Sequence, residues 1–80
     1  MYEIIIHKSV KKAVNKQQKH IKEAFYNWIN NELPKNPYKA NDGKMKGKLY
    51  KGSQPYRKRF GAYRAIYIIK EKLIIIEIYK

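Results

Sequence analysis

The residues best suited to chemistry in this 80-residue chain are its arginines, Arg57, Arg59 and Arg64, set in Tyr56-Arg57-Lys58-Arg59-Phe60 and Gly61-Ala62-Tyr63-Arg64-Ala65-Ile66-Tyr67. Both runs have the β-branched and aromatic character of strands, and Gly61-Ala62 breaks them as a turn would. Successive strand side chains point to opposite faces, so Arg57 and Arg59 share one face and Tyr56, Lys58 and Phe60 take the other. Two guanidiniums about 7 Å apart, with a third on the neighbouring strand, form a compact surface of permanently charged, bidentate donors suited to phosphate. Lys44, Lys46 and Lys48 lead into this region, and with Lys58 they would add salt-sensitive affinity for a polyanion without reading its sequence. Tyr56, Tyr63 and Tyr67 have faces on which bases could stack, although tyrosine at strand positions more often packs into the core. His7 and His20 lie far apart in the chain and read as structural. There is no cysteine, and no carboxylate pair, metal-ligand spacing, glycine-rich phosphate loop or nucleophile elbow.

The remaining elements must present that surface. Tyr2 to His7 reads as a strand, and Ile4-Ile5-Ile6, apolar on both faces, places it inside a sheet with neighbours on either side. Ser9 is the expected N-cap of a helical stretch in which Val10, Ala13, Val14, Ile21, Phe25, Trp28 and Ile29 recur at helical spacing up to Leu33, and Pro34 ends it. One 25-residue helix would be about 37 Å long, more than an 80-residue globule is wide, so a break near Gln17-Gln18-Lys19-His20 is expected. Lys11, Lys12, Lys16, Lys19 and Lys22 then form a solvated outer face. Residues 34–55 carry prolines, glycines and Asn41-Asp42-Gly43, the chemistry of a long, basic, flap-like connection. Lys70-Glu71-Lys72 separates the second strand of the meander from a third, Leu73 to Tyr79. There Ile74, Ile76 and Ile78 suit packing on helices, while Glu77 and Tyr79 lie on the open face, the side of the arginines. The expected fold is α+β, β-α-α-β-β-β in one domain spanning residues 1–80, with the helices on one face of the sheet.

Nineteen Lys and Arg against six Asp and Glu give a formal net charge of +13. That excess implies an anionic partner, nucleic acid first, an acidic protein second and an anionic membrane surface third. No stretch is long and apolar enough to span a membrane, and the opening residues do not form a signal peptide, so a cytoplasmic protein is expected.

The order Lys46-Gly47-Lys48-Leu49, then Tyr56-Arg57-Lys58-Arg59, then Gly61-Ala62-Tyr63-Arg64-Ala65-Ile66-Tyr67 and a terminal apolar strand resembles the RelE/ParE superfamily of toxins from toxin–antitoxin modules. The likeness extends over the whole chain. It implies a ribosome-dependent mRNA endoribonuclease that works without metal or other cofactor, attacking each scissile phosphate with the ribose 2′-hydroxyl. It also implies an acidic, partly disordered antitoxin as partner. Carried over, Arg57 and Arg59 match the family's basic positions on the second strand, and Arg64 the arginine of its Gly-x-Tyr-Arg motif, which with Arg59 would clamp phosphate. Family ribonucleases usually continue past the last strand, whereas here Tyr79 and Lys80 stand in for that segment. The ParE branch implies a different outcome, inhibition of DNA gyrase through protein contacts, and a family member that only binds antitoxin is a third.

Overall fold

The computed structural model describes residues 2–47 and 49–79, with Ile78 and Tyr79 described by their backbone alone. Strand β1 (Glu3–Ile6) leads into helices α1 (Lys8–Asn15) and α2 (Lys19–Asn27), and α2 runs on into a π-helical turn, α3 (Trp28–Glu32). Strands β2 (Tyr56–Phe60), β3 (Tyr63–Lys70) and β4 (Leu73–Tyr79) complete the chain. They form one four-stranded sheet in the order β1-β4-β3-β2, with β1 parallel to β4 and the rest antiparallel. This is the expected α+β arrangement.

The helical stretch breaks at Lys16–Gln18, as the length argument requires, since the longest dimension of the molecule is 33 Å. Ser9 is not the N-cap. His7 takes that role, its Nδ1 accepting the Ser9 N–H, because the helix begins one residue earlier than the serine suggests. At the far end, Leu33 N–H donates to Trp28 O at 2.8 Å, an i→i+5 closure. In a regular α-helix Leu33 would sit about 140° round from Trp28. The wider turn brings it nearly above Trp28, so both are fully buried.

Strand β1 lies at the edge of the sheet, not inside it. Its apolar triplet reflects only one buried side: Ile4 and Ile6 pack on the core, while Ile5 is 44% exposed. The core lies between the helices and the sheet. Trp28 is its hub, with its ring 5.4–6.0 Å from those of Phe25, Phe60 and Tyr67. Val10, Val14, Ala65, Ile74 and Ile76 close around them.

The other edge of the sheet is covered by the long connection. Residues 42–45 run antiparallel to β2: Arg57 N–H donates to Gly43 O, Met45 N–H to Pro55 O, and the Asp42 carboxylate accepts the Arg59 N–H at 2.6 Å. A side chain thus takes the place of the next carbonyl of the ladder, and an edge that would otherwise invite pairing is closed. The preceding residues are tied to the core by two buried donors, Trp28 Nε1 to Ala40 O and Tyr67 Oη to Pro37 O. Among the described residues, no helix is long and apolar enough to cross a membrane.

Candidate functional site

The β2–β3 hairpin sets the geometry of the arginines. Its two-residue turn needs a left-handed residue at Gly61, φ +63°, which glycine adopts without strain. The register then pairs Arg59 directly with Arg64, and Arg57 with Ile66. Tyr56, Phe60, Ala65 and Tyr67 are buried against the helices, so Arg57, Arg59 and Arg64 come together on the opposite face. Two like charges directly opposite on neighbouring strands destabilise a sheet, and among the described residues none of the three arginines forms an ion pair.

Arg57 is partly enclosed. A Cβ on Gly43 would lie 3.5 Å from its Nη2, and Gly43 has φ +135°, so the loop passes beside the guanidinium on backbone alone. The Arg57 Nε is buried without a hydrogen-bond partner. A buried donor left in this state costs on the order of 1–3 kcal/mol, more when charged, and an anion that accepted from it would recover that cost.

The lysines are more scattered. Lys58 lies on the other side of β2, in a shallow groove of about 330 Å³ with Asn27, Trp28 and Glu32. Lys44 stands exposed opposite Tyr56, and Lys46 is exposed in the following turn. Lys48 and Lys80 lie outside the described residues, as does the side chain of Tyr79. A register shift between Ile66 and Tyr67 pairs Ile78 with Ile66 and Tyr79 with Ala65, so simple alternation does not carry through to these positions. Tyr56 and Tyr67 stack on each other at 5.5 Å and are almost fully buried, unavailable to bases. Burial pushes the Tyr67 hydroxyl up to about 12, with the hydrogen bond from Asn41 acting the other way.

One feature of the site was not legible in the sequence. Lys51 and Gly52, both at positive φ, form a tight turn between Tyr50 and Ser53, and Lys51 Nζ meets Glu77 Oε1 at 2.8 Å. The hydrogen bond to Glu77 and the charge of its carboxylate raise the Lys51 ammonium above its ordinary value. The flap therefore folds back onto β4, on the side of the sheet away from the helices. That side is not bare: Ile68, which alternates with the core residue Tyr67, is only 1% exposed. A lone acid in the apolar run of β4 and a Lys-Gly turn were the available signals, but their meeting is purely tertiary. Among the described residues no three His, Cys, Asp or Glu side chains converge as a metal site would require.

No protein-family model matches the chain, and no curated protein does. A solved structure does: the crystal structure of the archaeal RelE–RelB complex from Pyrococcus horikoshii OT3 contains a chain 29% identical, with a TM-score of 0.72, covering 99% of this chain and 92% of that one. A match of that extent takes in the edge strand, both helices, the meander and the arginine hairpin together, and the chain accordingly has a RelE-like fold.

Proposed function

We propose that this protein is the toxin of a toxin–antitoxin module and that it cuts messenger RNA in the ribosome. The observation that carries the reading is the Arg59–Arg64 pair, directly opposed across β2 and β3 with neither guanidinium in an ion pair among the described residues. An arrangement that is unfavourable in the free protein becomes favourable once a phosphate lies between the guanidiniums. Cleavage by the 2′-hydroxyl gathers negative charge on the phosphate in the transition state. Preorganised donors aimed there stabilise that charge more than the ground state. Arg59 and Arg64 clamp the scissile phosphate, and Arg57, with its unpartnered Nε, holds a neighbouring oxygen. Arg57 does not move protons, because a guanidinium stays charged at any working pH. Lys44, Lys46, Lys48 and Lys80 add backbone affinity along the strand, whereas Lys58, on the helix side of β2, is left out of the RNA path. Tyr79 is assigned the supporting catalytic part that the family resemblance gives to a terminal Tyr or His.

The Pyrococcus RelE was solved with RelB, and we assign this chain a corresponding antitoxin. At a net charge of +13 it calls for an acidic partner that folds as it binds.

Ribosomes programmed with a defined message provide the test. The intact chain should cleave the message, and Arg59→Ala and Arg64→Ala should each lower the rate by about 10²–10³-fold. Intact message after incubation with the unaltered protein and ribosomes of verified activity would overturn the reading, and gyrase-dependent DNA breaks in its place would assign the protein to the gyrase-directed branch.

A further inference from the structure

The reaction needs a base for the 2′-hydroxyl, and no arginine can serve. Of the six acids in the chain, five are placed elsewhere. Glu3 pairs in register with Leu73, at the end of the sheet remote from the arginines, and Glu71 lies in the adjoining turn. Glu23 pairs with Lys19 on α2, and Glu32 lies in the helical layer. Asp42 spends an oxygen on the Arg59 N–H at the outer edge of β2.

Glu77 remains. It follows the fully buried Ile76 in β4, so its side chain leaves the core for the arginine face, and that side chain is only 10% exposed. It also falls at the register shift opposite Ile66 and Tyr67. Such bulges turn a strand locally and re-aim a side chain, and they are over-represented next to active sites. Ile66 pairs with Arg57 and lies two residues from Arg64. Strand spacing and rise therefore put the Glu77 backbone about 8–10 Å from that of Arg64. That gap is wide enough to admit one ribose–phosphate unit between the two side chains.

We propose that Glu77 is the general base of the cleavage reaction, taking the proton of the ribose 2′-hydroxyl while Arg59 and Arg64 hold the adjacent phosphate. The inference rests on the ribonuclease reading above. The 2′-oxygen forms its bond to phosphorus as the carboxylate accepts the proton. The bond from phosphorus to the 5′-oxygen breaks, and that oxygen leaves with the electron pair and takes a proton from solvent water. The products are a 2′,3′-cyclic phosphate and a 5′-hydroxyl. Lys51, brought in by the flap, is the charged group that faces Glu77 most closely. From β3 the neighbours are Ile66 and Tyr67, the latter turned into the core. From β1 the nearest titratable group is His7, whose N–H donates to Ile76 O and whose ring is held by Ser9. Arg57 and Arg64 lie beyond Ile66. Lys51 holds the carboxylate in place until substrate arrives and is a positioning residue.

The test is single-turnover cleavage on programmed ribosomes, with thermal melting of each variant as a control for folding. Glu77→Gln, which keeps an acceptor for Lys51, should lose about 10²–10⁴-fold in rate. Lys51→Met, which releases the flap but keeps the carboxylate, should stay within about tenfold of the unaltered chain. Asp42→Asn should cleave at a rate close to that of the unaltered chain. Glu77→Asp should stay active at a rate lowered about ten- to a hundredfold by its shorter reach, and it carries the test should Glu77→Gln fail to fold. A Glu77→Gln variant at full rate, a Glu77→Asp variant at full rate, an Asp42→Asn variant as impaired as Glu77→Gln, or a Lys51→Met variant as impaired as Glu77→Gln would each overturn the assignment. The last outcome would make the ion pair a latch alone. If the unaltered chain does not cleave, the ribonuclease reading fails and this inference falls with it. Cleavage that is indifferent to Glu77 removes this inference only.

Discussion

Replacing Arg64 by glutamine should make the free protein more stable while removing its activity. In the register of β2 and β3, Arg59 and Arg64 face each other, with Cβ atoms about 5 Å apart. Taking about 6 Å between the charges, Coulomb repulsion in water is about 0.7 kcal/mol, reduced by screening to about 0.6 kcal/mol in 10 mM salt. Arg57, one residue pair along the same face, adds a comparable term. The substitution therefore relieves about 1 kcal/mol in 10 mM salt. For a domain of this size that corresponds to a rise in Tm of about 4–8 °C. In 1 M salt the screening length falls to about 3 Å, and the gain should shrink to about 0.2 kcal/mol, within 2 °C. The assay is paired thermal melting of the two proteins at both salt concentrations, with pyrophosphate added in a third series. The anion should raise the Tm of the unaltered chain more than that of Arg64→Gln. An equal or lower Tm for Arg64→Gln in 10 mM salt, or a gain that survives 1 M salt undiminished, would refute the idea that these arginines store mutual repulsion.

Tyr67→Phe leaves the buried Pro37 carbonyl without its 2.6 Å donor and should cost about 1–3 kcal/mol by denaturant titration. It should also change the alkaline response. The Tyr67 hydroxyl ionises at about 12 when folded against 10.0 ordinarily, so above pH 10 the unfolded chain loses a proton that the folded chain keeps, and stability falls as pH rises through that window. The phenylalanine variant should show a shallower fall, measured as the difference between paired curves. Asp42→Ala removes the acceptor of the Arg59 N–H and reopens the edge of β2. A loss of about 1 kcal/mol and an increase in concentration-dependent light scattering are expected, and neither should appear in Asp42→Asn. Phe60→Ala removes a ring from the cluster around Trp28 and should cost about 3–5 kcal/mol.

Much of this was legible because local signals and burial agreed. The meander strands were readable from alternating residues between polar breaks, and the helical break from a length that would not fit. The convergence of Arg57, Arg59 and Arg64 followed from period-two geometry and a two-residue turn. Where the reading failed, the deciding contact was remote. Ile5 looks like an interior residue because isoleucine suits either face of a strand, and only the sheet order reveals that β1 has a single neighbour. Ser9 is a better cap former than His7 by type, yet the helix start is set by where β1 leaves the sheet. The five-residue closure at Leu33 and the Lys51–Glu77 contact depend on partners that no window of sequence contains. Lys58, grouped by composition with the phosphate-facing lysines, lies across the sheet from the arginines for the same alternation that unites them.

The pairing of β1 with β4 also bears on when the chain becomes competent for the activity proposed above. Glu3 waits for Leu73, and Ile6 for Ile76, so the first strand synthesised has no place to dock until nearly all of the described chain exists. Contacts of such separation are slow to form, and they leave no early folded fragment. A nascent chain halted before residue 73 contains the helical residues but neither a complete sheet nor the strand that carries Glu77. Under the toxin reading proposed above, synthesis itself would supply an interval in which an antitoxin made alongside meets an unfinished chain.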